Sequence, residues 1–185
     1  VLVCSLPILA QKVTPEEFRR CNDTLALAMK RYPEKIRGFA FLNPGYTREA
    51  LDEIDRCVQD YGMIGIKLYY QYFIDDPAVR PVIEKCIDLD IPILVHASKL
   101  NYHPEEQPFV SNGVHFAAAA KAYPEARFIM AHITGGGDWE WSLKAIAGSP
   151  NVYTDMSGSV IDARVMEKAV SLLGAGRILF GSDGS

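Results

Sequence analysis

The chain has 185 residues, 49% hydrophobic and 23% charged, which is enough for one domain with a real core and too apolar for a disordered segment. A formal net charge of -4 and a pI near 5.6 provide no basic field for nucleic acid, and no Lys/Arg cluster addresses an anionic membrane surface. A small-molecule metabolite is therefore the expected partner.

Short β-branched or aromatic runs alternate with longer stretches whose apolar residues lie three and four apart, the rhythm of βα units. In chain order, strands are predicted at Val1–Ser5, Ile36–Leu42, Ile64–Tyr69, Ile93–His96, Phe128–His132, Val152–Asp155 and Ile178–Phe180. Their nearly continuous hydrophobicity fits buried parallel strands. Helices are predicted at Pro15–Tyr32, Arg48–Tyr61, Ala78–Leu89, Gly113–Ala122, Trp139–Ala147 and Ala163–Leu173. Thr14 before Pro15, with Glu17 three residues on, is a capping box with proline at the first helical position, and Gly62 is a helix stop. No linker or low-complexity segment divides the chain, so residues 1–185 are expected to form a single domain.

Cys4, Cys21, Cys57 and Cys86 lie far apart, which indicates reduced thiols and neither a metal knuckle nor a stapled secreted scaffold. No apolar run is long enough to span a bilayer, and Val1 to Leu9 lacks the basic start and cleavage site of a signal peptide, so a cytoplasmic location is expected.

Seven consecutive βα units fit either an open doubly wound sheet or a barrel. The polar strand ends decide for the α/β class of (β/α)8 TIM barrels, because Asn43, Lys67, His96, His132, Asp155 and Asp183 converge at the C-terminal mouth only if the sheet curls. A complete barrel has eight strands and about 250 residues. The expectation is thus a partial barrel with strands two to eight present and strand one and the last helix missing. A seven-stranded barrel closed as it stands would leave a seam that invites aggregation or a homodimer.

His96 ends the run Ile-Pro-Ile-Leu-Val-His, and His132 closes Phe-Ile-Met-Ala-His one unit later. One histidine at a strand end is as well explained by a hydrogen bond to a backbone carbonyl. Two in successive units place two imidazoles across one mouth, and Asp183 after Ile-Leu-Phe-Gly-Ser adds a carboxylate, although Asp after Gly-Ser is also an ordinary turn residue. Two imidazoles and a carboxylate suit a divalent metal, with Zn2+ the first expectation, and a metal-activated water makes hydrolysis the natural reaction.

Lys67 in Gly-Ile-Lys-Leu-Tyr-Tyr shares an inward face with Gly65 and Tyr69, so its ammonium needs a partner. The candidates are a substrate carboxylate, an acidic side chain, or carboxylation of the amine to bridge two metals; a structural ion pair is the plain alternative. For Asp155 before Met-Ser-Gly a packing or hydrogen-bonding role ranks ahead of catalysis. Gly135, Gly136 and Gly137 form either a phosphate-cradling loop or a simple turn, with the turn favoured. His103 lies in a long mouth loop, Asn101–Val110, within reach of substrate, and His115 at a helix start is expected to be a surface or packing residue. Trp139 and Trp141 are expected to pack the neighbouring helix more than to wall the site.

Together, Ile-Leu-Val-His, Phe-Ile-Met-Ala-His followed by three glycines, Asn-Val-Tyr-Thr-Asp-Met-Ser-Gly and Arg-Ile-Leu-Phe-Gly-Ser-Asp resemble the amidohydrolase superfamily. The closer resemblance is to the branch that includes aminocarboxymuconate semialdehyde decarboxylase. That resemblance implies that His96 is the metal ligand of barrel strand five, His132 a second ligand or the general acid/base of strand six, and Asp183 the strand-eight ligand that handles the attacking water. It also implies a His-x-His pair on strand one, and no two of His96, His103, His115 and His132 are two residues apart. The leading expectation is a metal-dependent hydrolase of a small carboxylated or cyclic metabolite, with Asp183 and His132 catalytic, His96, Asp183 and His132 on the metal, and Lys67 and Tyr69 on the substrate. A non-oxidative decarboxylase of the same branch is the alternative enzyme, and a non-catalytic barrel remnant is the alternative from another class.

Overall fold

The computed structural model describes residues 2–5, 7–8, 12–97, 107–133, 139–158 and 162–183. Seven strands, β1 (Leu2–Cys4), β2 (Ile36–Phe41), β3 (Gly65–Leu68), β4 (Ile93–Val95), β5 (Phe128–Met130), β6 (Val152–Asp155) and β7 (Ile178–Leu179), pair in parallel in their order along the chain. They alternate with α1 (Pro15–Arg31), α2 (Thr47–Gln59), α3 (Arg80–Asp88), α4 (Gly113–Ala122), α5 (Trp139–Ile146) and α6 (Val165–Leu173). Sequential parallel order with the usual right-handed crossovers puts every helix on one face, and such a sheet curls into a (β/α)8 barrel instead of opening into a doubly wound layer. Among the described residues β1 and β7 are the two edges of the sheet.

The helices form where the sequence caps them. Glu17 N–H donates to Thr14 Oγ1 at 3.4 Å, and Thr14 N–H donates to Glu17 Oε2 at 2.8 Å, completing the box that starts α1. Lys30 and Arg31 in its last turn complement the dipole. Phe18, Asn22, Leu25 and Met29 lie along its buried face at helical spacing. Gly62, with φ 68, stops the chain after α2, its N–H donating to Val58 O. Past α6, Arg177 reaches back to the carbonyl ends of two helices, donating to Leu173 O, Ser149 O at 2.8 Å and Ala147 O at 3.1 Å.

Several boundaries differ from the sequence reading for identifiable reasons. A 3-10 turn at Pro77–Val79 precedes α3, which begins beside Pro81, a residue with no N–H to continue a ladder backward. The sixth helix starts at Val165 and not Ala163, because Arg164 has φ 66. The fifth strand stops at Met130, because His132 turns into the left-handed region at φ 67.

The core lies between sheet and helices and continues into the barrel on one side. β3 is buried along its whole length, whereas β4, β5 and β6 alternate. In those three strands Ile93, Val95, Phe128, Met130, Val152 and Thr154 are buried, and the residues between them are half-buried. Gly65 exists for packing: a Cβ there would meet the Phe39 ring at 2.8 Å and Pro92 O at 2.9 Å. Cys21, Cys57 and Cys86 are free thiols, and no helix among the described residues is long and apolar enough to cross a membrane.

Candidate active site

Barrel strands deliver alternate side chains to one lumen, and the site starts from that alternation. β3 carries Lys67 inward, with Tyr69 just beyond its end. His96 directly follows β4 and His132 lies two residues past β5, and their rings are 4.8 Å apart between centroids at 68°. His96 Nδ1 and His132 Nε2 are 3.0 Å apart. Tyr69 lies over the other face of His96, 4.3 Å away and nearly parallel, and Tyr70 meets the same imidazole edge-on. A left-handed conformation is uncommon for a non-glycine residue, and both His132 and Asp183 adopt it at the ends of their strands. This geometry re-aims each side chain toward the mouth.

Asp155 closes the site from β6. Its Oδ1 accepts from His132 N–H at 3.1 Å, Ser157 N–H at 2.9 Å and the Ser157 hydroxyl at 2.5 Å. Ser157 Oγ is in turn 2.8 Å from His132 Nδ1. Gly181 lets the last strand approach this carboxylate, since a Cβ there would lie 3.0 Å from Asp155 Cγ. Asp183 is more open, its side chain 65% exposed, with Oδ2 at 3.8 Å from His132 Nδ1.

Burial sets the electrostatics. It pushes His96 well below the ordinary imidazole range, with the His132 ring and Lys67 acting in the same direction, and, together with Lys67, it lowers His132, so both rings are neutral near pH 7. Asp183 and Asp155 oppose the shift at His132. Lys67, only 6% exposed, is lowered to about 8, chiefly by desolvation and against the pull of Asp155 and Asp183. Among the described residues it has no carboxylate within ion-pair distance, and the Tyr69 ring centroid lies 5.5 Å from Nζ. Tyr69 is raised to about 12 by burial first and remains a neutral phenol.

Neutral imidazoles and carboxylates are the donor set of a divalent cation. The residues therefore fit a metal in kind. Among the described residues no group of three or more His, Cys, Asp or Glu is arranged to hold one.

Tyr69, Lys67, His96, His132, Asp155 and Asp183 thus lie around one mouth. His115 does not join them: its Nδ1 accepts from Asn112 N–H at the start of α4, and its ring stacks 4.2 Å from Phe73. Trp139 packs on the core and its indole N–H donates to Asp162, while Trp141 is exposed beneath Lys144. His103, most of Asn101–Val110 and the three glycines Gly135, Gly136 and Gly137 lie outside the described residues. The sequence reading did not single out Ser157. Its position two residues after Asp155, the spacing of an Asx turn, was the available signal.

Known proteins resemble the chain in sequence and in fold. The chain is 21% identical over 197 aligned residues to 2-amino-3-carboxymuconate-6-semialdehyde decarboxylase from Dictyostelium discoideum, covering 88% of this chain and 54% of that protein. It thus spans about half the length of that curated relative. Among solved structures, 2,6-dihydroxybenzoate decarboxylase from Rhizobium superposes with a TM-score of 0.76 at 21% identity, covering 98% of this chain and 72% of that one. A dihydroxybenzoic acid decarboxylase from Polaromonas, with bound manganese and 2-nitroresorcinol, gives 0.70 at 22% identity, covering 91% and 64%. The sequence model of the family described as amidohydrolase matches residues 8–184, nearly the whole chain, and the chain belongs to that family.

Proposed function

We propose that this chain carries part of the active site of a metal-dependent, non-oxidative decarboxylase acting on a small aromatic or unsaturated carboxylate. The observation that carries the reading is Lys67, a buried ammonium with no ion-pair partner among the described residues, beside the flat Tyr69–His96 stack. A buried charge of this kind is tolerated when a ligand answers it. The similar proteins named above are decarboxylases, which weighs toward loss of CO2 over hydrolysis, the reaction that the strand-end residues alone put first.

In this reading His96 and Asp183 hold the metal, which when bound supplies Lewis acidity to the substrate oxygens. Lys67 receives a substrate carboxylate or phenolate, and the Tyr69 ring forms one wall of the slot. The bond between the substrate carbon and its carboxylate breaks, the electron pair stays on carbon, and a proton delivered by His132 takes the place of CO2. A neutral imidazole is suited to take that proton first from a substrate hydroxyl or from water. Manganese in the Polaromonas protein makes Mn2+ the first metal to test, beside the Zn2+ that the donor types suggest. A homodimer is part of the same proposal and is measured by sedimentation.

The test is CO2 release from 2,6-dihydroxybenzoate and a panel of hydroxybenzoic and enoic acids, with elemental analysis of the bound metal. Release that disappears in His96→Ala and Asp183→Ala, together with the metal, is the expected result. Cleavage of amides, esters or lactones without CO2 would restore the hydrolase reading. Absence of bound metal in the wild-type protein would leave a non-catalytic barrel.

A further inference from the structure

The hydrogen bonds behind His132 have a direction, and it can be followed from the one member that cannot donate. Asp155 as a carboxylate only accepts. Its Oδ1 already takes two backbone N–H groups, from His132 and Ser157, and these lock its position. The Ser157 hydroxyl has a single proton, which it donates to the same oxygen. Ser157 Oγ therefore meets His132 Nδ1, 2.8 Å away, as an acceptor, and the proton between them belongs to the imidazole. A neutral ring has one N–H, so His132 Nε2 presents a lone pair. Across the 3.0 Å contact His96 Nδ1 must then be the donor, and His96 in turn is left with an unprotonated Nε2.

We propose that Asp155, acting through Ser157, is a positioning residue that fixes His132 as the Nδ1–H tautomer and, through it, His96 as the Nδ1–H tautomer. The consequence for function rests on the reading of His132 as the proton carrier: its Nε2 holds the ring's lone pair, which accepts from His96 Nδ1–H and is released to a substrate only when that bond opens, while Ser157 and Asp155 hold the other side of the ring in place. The same chain gives His96 the bare Nε2 that metal coordination requires, with its other nitrogen held by a second hydrogen bond. The tautomers themselves do not depend on which reaction the site performs.

His115 supplies an internal reference. Its Nδ1 accepts from Asn112 N–H, so its neutral ring is the opposite, Nε2–H form. The experiment is long-range 1H–15N correlation NMR on 15N-histidine-labelled, metal-free protein near neutral pH, with the four histidines assigned by single His→Gln variants. The expected spectrum has Nδ1–H patterns for His132 and His96 and an Nε2–H pattern for His115. Ser157→Ala and Asp155→Ala should shift His132 toward the Nε2–H form. Asp155→Asn should keep the wild-type pattern, because its amide oxygen can still accept all three bonds. An unchanged His115 pattern in each variant certifies the fold, and in Asp155→Asn it does so even if the alanine variant fails to fold. His132 found as Nε2–H in the wild type, or left as Nδ1–H in Ser157→Ala, would overturn the proposal. Neither result depends on turnover, so a failure here is distinct from a failure to release CO2.

Discussion

Two buried charges in this protein are treated in opposite ways. Glu53, on α2 and fully buried, accepts from Asn22 Nδ2 at 2.8 Å and from Arg56 Nε and Nη2 at 2.8 and 2.6 Å, with Arg19 3.3 Å away. Asn22 also exchanges a pair of hydrogen bonds with the backbone of Phe41, so this cluster ties α1, α2 and β2 together. Lys67 sits in the lumen, almost as deeply buried, with no ion pair among the described residues and only the longer-range pull of Asp155 and Asp183. A fully paired charge helps to specify a fold, whereas a buried charge without an ion pair lowers stability and is understood as a binding group.

That contrast can be broken from either side. The largest effect is expected at Glu53→Ala, which strands Arg56 and the Asn22 amide and should cost about 3–5 kcal/mol in denaturant unfolding. A change below about 1 kcal/mol would remove the distinction.

Lys67→Met should act with the opposite sign. Below about pH 8 the folded and unfolded chains both carry the ammonium, and the folded one bears the whole desolvation cost. Between about 8 and the ordinary 10.5 the folded chain gives up its proton first, so stability rises with pH, and above that range the cost is gone. The two values differ by an amount equivalent to roughly 3 kcal/mol. The variant should therefore gain up to about that much near pH 7, lose this part of the pH dependence, and bind 2,6-dihydroxybenzoate at least about tenfold more weakly, the factor that corresponds to 1.4 kcal/mol. Equal stability and undiminished binding would count against a ligand-answered charge.

Smaller effects sharpen the picture of the scaffold. Gly65→Ala, with its new methyl against Phe39 and Pro92 O, should lose about 1–3 kcal/mol through overpacking next to Lys67. Thr14→Ala at the start of α1 should lose about 1 kcal/mol, the ordinary value of an N-cap. Trp141→Ser, on the exposed face of α5, should stay within about 0.5 kcal/mol of wild type.

The seven strands and six α-helices of the described residues were legible in the amino-acid sequence, because periodicity, caps and glycine stops act over a few residues. Helix α1 begins at Pro15 as its capping box requires, and α4 spans Gly113–Ala122 in both the reading and the structure. The strand ends were legible too, since an apolar run closing on a polar residue marks a barrel mouth. The order of the strands followed from the absence of any skipped unit.

What only the tertiary structure decided is how those ends meet. The sequence placed His132 as the last residue of a strand, but its left-handed backbone and its bond to Ser157, 25 positions along the chain, turn the ring toward His96. It gave Asp155 a packing or hydrogen-bonding role, as its three bonds bear out, and did not weigh Ser157, whose contact with His132 appears only when β5 and β6 pair. It recognised that Lys67 needed a partner without showing that no ion pair forms among the described residues. Local physics fixes which segments are strands and helices, whereas side-chain bonding across strands depends on register and curl. That is why the elements were written in the sequence and the hydrogen-bond chain behind His132 was not.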